Sequence, residues 1–543
     1  MRIFQSRSAF VLANVAVFTA LLTACGTEES STTTDFTPPT SVQASRLLSQ
    51  ATFGPNLAEI EHLKSVGYTH WFNEQFSKKQ TLHFSYMNQR KTAGDTLSEN
   101  QFLESFWQQA IKGDDQLRQR VTYALSQIFV ISFQNDTLST MPRGVASYYD
   151  TLGVHAFGNF RDLLEAVTKH PMMGIYLSSL RNQATVGARV PDENYAREIM
   201  QLFTIGLRQL NPDGSNTTNP TTVTYTNDDI KGLAKVFTGW SWAGPDKSAS
   251  RFLGNTADAN RDWLPMQNYP DYHETLEKVF LGVTIPANTS GEASLKIALD
   301  TLFNHPNVGP FIGRELIQRM VTSNPSPAYI GRVAAAFNNN GQGVRGDMKA
   351  VITAVLADQE ALNPTITTST GKLREPVIRL ANWMRAFHVN STSGNFKLTS
   401  LDDTLNSLGQ TPMRSPSVFN FYRPEFQPPY TSIATANLFA PEMQITEETS
   451  VVGYLNYMRG VIQSGAGTAN DIKADYSIPL SLAGNPGLLV DYLNLLLMQG
   501  QMSSTLRDQI LGAINSNPTN SASNKVYLAI FLTMASPEYL VQK

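Results

Sequence analysis

The densest run of residues able to do chemistry is Asp192-Glu193-Asn194-Tyr195-Ala196-Arg197-Glu198. On a helix turning about 100° per residue, Asn194, Glu198 and Gln201 share one edge, with Glu193 and Arg197 beside it. Tyr195, Ile199 and Leu202 face away from that edge. Two carboxylates and an arginine in that arrangement can bind a polar ligand or serve acid–base chemistry. The plainer alternative is a solvated helix face carrying an i,i+4 ion pair between Glu193 and Arg197. A second candidate is His273, which follows Asp271 in a stretch without periodicity. None of the eight histidines forms an H-x-x-x-H or H-E-x-x-H pair, so a metal at His273 would need ligands from elsewhere. The alternative is a histidine hydrogen-bonded within its own loop. The third candidate is Lys372-Leu373-Arg374-Glu375-Pro376 with Arg379, a charged node at a helix start. Glu375 there suits the positive end of the helix, which makes a capping role the plain expectation.

Other patterns match by letters and fail on physics. Gly341-x-Gly343-x-x-Gly346 has the dinucleotide spacing but follows a helical run and three asparagines, where a strand is needed. A glycine-rich turn ahead of an Asp347 helix cap accounts for it. Asp258-x-Asn260-x-Asp262 opens like a calcium loop, but Trp263 and Tyr269 stand where an EF-hand needs glycine and glutamate. No serine sits in G-x-S-x-G, the nearest miss being Gly239 to Ala243, and no P-loop occurs. His170-Pro171 and His305-Pro306 read as helix ends, where an imidazole can meet the last carbonyls. No cofactor is expected.

The elements that must position these residues are helical. Apolar residues recur at helical spacing in Leu117 to Phe129, Tyr195 to Phe203, Ile230 to Phe237, Phe311 to Val321, Tyr329 to Phe337, Met348 to Leu356, Val377 to Phe387, Leu488 to Met498 and Val526 to Ala535. Asn56 three before Glu59, and Asp347 before an apolar run, are start signals, and Pro327 and Pro376 are placed to open helices. Thr221 to Thr226 and Val279 to Ile285 are the best strand candidates. The expectation is a mainly α protein: a large helical domain with long irregular loops and at most a small β element. The irregular stretches are Gly239 to Tyr272, Gly409 to Tyr430 and Gly465 to Pro486.

The chain opens with a secretory signal pattern. Arg2 and Arg7 precede an apolar run from Ala9 to Leu22, and Leu22-Thr23-Ala24-Cys25 resembles the bacterial lipobox. Residues 1–24 therefore read as a signal peptide, with Cys25 as the lipid acceptor and membrane anchor. Gly26 follows, where an aspartate would resemble inner-membrane retention, so the outer membrane is expected. Gly26 to Ser41 is polar with a Pro-Pro pair and reads as a tether. Residues 42–543 read as the helical domain, with a possible subdivision in the loop-rich 389–485 region. Cys25 is the only cysteine, so a lipidated chain has no thiol for catalysis, disulfides or metal thiolates. A formal net charge of −3 over 543 residues, without a basic stripe, argues against nucleic acid as a partner.

With these motifs in view the chain resembles the bacterial family catalogued as domain of unknown function 1800. The matching stretches are Ala44 to Gly54, Arg120 to Phe129, Glu193 to Gly206, Phe237 to Trp240, His273 to Gly282, Lys372 to Pro376, Ser415 to Tyr422 and Ala535 to Tyr539, in family order. Many relatives read Glu where this chain has Gln201, which removes one acidic ligand. The resemblance implies a secreted, mostly helical protein and brings no established activity. It also implies a phosphatase- or sulfatase-like secreted partner, because members are often encoded beside such a family. The leading expectation is a lipid-anchored binding or assembly module for a partner protein or a polysaccharide. The alternatives are a hydrolase of envelope polymers, with Glu193, Glu198 and His273 as suspects, and a purely structural envelope lipoprotein.

Overall fold

The computed structural model describes residues 38–543 apart from 218–221, 257 and 518. The expected signal peptide, Cys25 and most of the expected tether lie outside them. The described chain begins earlier than the tether was expected to end. Thr40 accepts a hydrogen bond from the Gln43 amide, Gln43 reaches back to Thr40, and the Ser41–Ala51 helix starts there. This capping box satisfies amides that would otherwise be orphaned at the first turn.

Other starts follow the same chemistry. The Asn56 side chain accepts from the Glu59 amide at 3.0 Å, and Asp347 accepts from Lys349 at 3.0 Å. Pro327 and Pro376 occupy first turns, where a missing N–H costs nothing. Twenty-five α-helices result among the described residues, and the protein is mainly α. Their apolar faces meet in one core. Phe129 stacks at 5.2 Å from Phe203 and 6.1 Å from Phe160, and Phe160 lies 5.4 Å from Phe337. Three of the periodic segments and the Phe160–Lys169 helix thus share an aromatic spine.

Strands are two or three residues long and form four antiparallel ribbons among the described residues. Lys278–Phe280 pairs with Val283–Ile285, so the single strand expected over Val279 to Ile285 is a hairpin turning at Leu281 and Gly282. The Asn227–Val236 helix lies directly on it: a Cβ at Gly232 would overlap the Val279 carbonyl. The other expected strand does not form. Val223 makes only an isolated bridge to Arg208, and Thr226 caps the Asn227–Val236 helix in a box with Asp229. A threonine hydroxyl free to cap competes with extension of so short a run.

The Gly341–Gly346 pattern is a turn. Asn339 and Asn340 side chains accept four amides of it, from Gly341, Gln342, Gly343 and Val344. Its last glycine, at φ +73°, precedes the Asp347 cap. Residues 38–543 cluster as one unit, with 389–485 inside it. Its two sequence extremes are tied together. Val541–Gln542 pairs with Lys372–Leu373, and an Arg46 guanidinium N–H donates to the Lys543 carbonyl at 2.6 Å. No helix among the described residues is long and apolar enough to cross a membrane.

Candidate functional site

The Asn194–Gln201 helix forms as its periodicity predicts. Tyr195, Ile199 and Met200 are buried, and the Tyr195 hydroxyl donates to Thr168 at 2.8 Å. On the other edge Asn194 is exposed, and Glu193 and Arg197 are partly exposed, 3.6 Å apart. Glu198 differs from them. It is only 7% exposed, and its Oε2 has no hydrogen-bond partner. Burial raises its pKa above the usual glutamate value, against the lowering effect of Arg197. The same carboxylate, after burial itself, helps push the Tyr225 hydroxyl up to about 12, and that hydroxyl donates to Gln201 at 3.2 Å.

His273 lies elsewhere. Its Nδ1 sits 2.9 Å from the Thr238 carbonyl, and the buried Nε2 has no partner. Burial lowers its pKa, which favours the neutral ring. Gly239 explains the fit: at φ +77° it runs against the His273 backbone, 2.8 Å from where a Cβ would stand. Thr238 completes the clasp by accepting the Glu274 amide at 2.8 Å. No hydrogen bond or ion pair among the described residues joins His273 to Glu193, Arg197 or Glu198. The ring is held by Thr238, at the foot of the Gly239–Tyr272 stretch.

Lys372 and Glu375 enter a buried polar node. Glu375 occupies the N-cap position just before the Pro376–Ala386 helix, but its side chain makes no capping hydrogen bond. Its Oε2 instead accepts from Tyr123 at 2.9 Å, Gln127 at 2.5 Å and Gln410 at 2.8 Å. That corrects the capping expectation. Three strong donors from distant segments outcompete the helix's own amides. Lys372 pairs with Glu442 at 3.0 Å and donates to the Arg319 carbonyl at 2.8 Å. Arg120 donates to that same carbonyl at 2.7 Å, and Arg319 pairs with Glu315. Arg120, Tyr123, Gln127, Arg319, Gln410 and Glu442 were not singled out from sequence. The available signal was their spacing: Arg120, Tyr123 and Gln127 stand at i, i+3 and i+7, a polar stripe on a helix that is otherwise buried. All of these groups are almost wholly buried, so the node holds the helices together and offers no surface to a ligand.

The calcium-like residues are also committed. Asp258 pairs with Arg251, and Asp262 lies 3.7 Å from Arg261.

The accessible site lies beside the Gly239–Tyr272 stretch, and none of the sequence-predicted residues lines it. A cleft of about 440 Å³ opens between this stretch and the turn after the Pro171–Tyr176 helix. Ser178 and Arg181, at φ 61° and 65°, carry that turn through left-handed backbone that non-glycine residues avoid. The stretch is tied down by Arg181 N–H donating to the Trp240 carbonyl at 2.9 Å and Met266 N–H to Lys169 at 2.7 Å. Gly254, at φ +82°, lets the chain pass close to the Trp242 indole; a Cβ would lie 2.9 Å from its Nε1. Arg261 stacks over Trp242 at 4.7 Å and donates from Nη1 to the Gly254 and Thr256 carbonyls. Arg181 donates from its own Nη1 to the Leu253 carbonyl at 3.1 Å. Thr137 and Ser178 add hydroxyls, and no carboxylate is among the lining residues.

Architecture and site together define a mainly α-helical protein with an arginine- and tryptophan-lined cleft under a long ordered loop. Residues 46–541 match the model of the family described as Protein of unknown function (DUF1800), and the chain belongs to that family. No curated protein and no solved structure matches it.

Proposed function

We propose that the protein is a binding module of the bacterial cell envelope, anchored through lipid on Cys25 and engaging an extracellular polymer at the Gly239–Tyr272 cleft. The observation that supports this reading is the cleft itself. Its longest loop is held rigid by backbone hydrogen bonds, and its lining mixes an aromatic platform with directed polar groups. Small-ligand sites share that composition and occupy roughly 300–1,000 Å³. A rigid site loses little entropy when a ligand is ordered on it.

The hydrolase reading finds its support in Glu198, a buried carboxyl with a raised pKa of the kind a general acid needs. The second carboxylate on that helix, Glu193, is turned to Arg197. The binding reading is therefore preferred.

Thr137 is exposed at the cleft, and its side chain makes no hydrogen bond, so Thr137→Trp fills the site without touching the core. Purified full chain and this variant are titrated with surface polysaccharide from the producing cells. The expected outcome is an affinity lowered by about tenfold or more, with an unchanged melting temperature. Equal affinity of variant and wild type, or no binding by either, overturns the proposal.

A further inference from the structure

We infer that Arg181 and Arg261 form a two-arginine clamp for an oxyanion group, so that the cleft selects an anionic polymer over a neutral one. This rests on the cleft being the binding site and adds the chemistry of its ligand. The two guanidinium groups are held by carbonyls of consecutive residues, Arg181 by Leu253 and Arg261 by Gly254. Each is anchored through Nη1, which leaves Nη2 without a protein acceptor. Two like charges lining one cleft favour an anion between them.

Among the described residues the protein places no carboxylate within hydrogen-bond distance of either guanidinium. No carboxylate lines the cleft, and Arg181 makes no ion pair among the described residues. The nearest acid to Arg261 is Asp262, whose Oδ1 lies 3.7 Å from Nε, beyond hydrogen-bond reach. Elsewhere in the protein Arg161, Arg332 and Arg414 each sit within 3.0 Å of a carboxylate.

The geometry is also set in advance. Stacking on Trp242 fixes the plane of the Arg261 guanidinium. The left-handed turn at Ser178 and Arg181 aims the second guanidinium at the same cavity. A planar fork matches carboxylate, sulfate and phosphate oxygens in pairs, which a lysine cannot do. The ligand chemistry is thus a carboxylate, sulfate or phosphate carried on a polymer, with the Thr137 and Ser178 hydroxyls available to neighbouring polar groups.

The test titrates the full chain with dextran, dextran sulfate, polygalacturonate and a teichoic-type polyphosphate, and separately with inorganic sulfate. At least one anionic polymer is expected to bind about tenfold more tightly than dextran. Arg181→Gln and Arg261→Gln should each remove about tenfold of that affinity, the scale of one charged hydrogen bond. Arg181→Lys should recover only part of it. Lys231→Gln, an exposed cation elsewhere, should leave it unchanged and so excludes a general charge effect. Melting curves confirm that each variant is folded. If Thr137→Trp abolishes binding of dextran and charged polymers alike while both arginine variants bind as wild type does, the cleft stands and the clamp is overturned. If neither Thr137→Trp nor the arginine variants alter binding of any polymer, both readings fall.

Discussion

At the scale of single residues, charge has two different energetic meanings in this protein. Arg197 is 42% exposed and 3.6 Å from a partly exposed Glu193. Water screens both, so Arg197→Ala should cost less than about 1 kcal/mol. Lys372 and Glu442 are 4% and 1% exposed. Lys372→Met strands a carboxylate whose pKa burial already raises, and should cost roughly 3–5 kcal/mol. Thermal or urea denaturation of the two variants side by side checks the contrast. Equal losses would show that the buried node is not energetically distinct from the surface. Only part of this was legible beforehand. Glu193 and Arg197 are neighbours on one helix, so their pairing follows from spacing alone. Glu375 and its donors are 248 and 252 residues apart for Gln127 and Tyr123. A polar stripe at i, i+3 and i+7 reads as a solvent face until the element that covers it is known. The cleft arginines left still less trace, because a left-handed turn followed by a loop has no period to read.

At the scale of elements, local chemistry decided most starts and stops, which is why they could be anticipated. Asn56, Asp347, Pro327 and Pro376 act over one turn, and they hold in the structure. His170 is the C-cap of the Phe160–Lys169 helix, the end expected there, but its imidazole meets the next helix rather than the last carbonyls. Its Nδ1 accepts from the Met172 amide and caps the Pro171–Tyr176 helix, because Pro171 opens a new helix there. That role requires a neutral ring. Burial against Tyr148 lowers the His170 pKa to about 3, from about 6.5 in the unfolded chain. The folded-state value is depressed, so the unfolded chain binds the proton more readily. The stability His170 contributes is complete above about pH 6.5 and is lost as pH falls toward 3. His170→Asn keeps a capping oxygen and removes the titration. Between pH 6.5 and 4 the wild type should lose roughly 3 kcal/mol relative to this variant. Parallel melting-temperature profiles for the two proteins over that range would contradict the assignment.

At the scale of the whole molecule, the proposed anchor would determine where the cleft works. The lipobox and the single cysteine predict that labelled palmitate enters the wild type and that Cys25→Ser remains unlabelled and leaves the membrane fraction. Equal labelling of both would remove the anchor. The tie between Arg46 and Lys543 has a consequence for the export proposed above. These residues are 497 apart, and the ribbon of Lys372–Leu373 with Val541–Gln542 closes beside them. Contacts of such separation form late, after the entropy of a very long loop has been overcome. If the chain is exported amino-terminus first, as proposed, the Arg46–Lys543 tie and the ribbon beside it can close only after residues 541–543 have crossed. These contacts would then be the last to close, and until they did the chain would depend on whatever shields its exposed apolar surface.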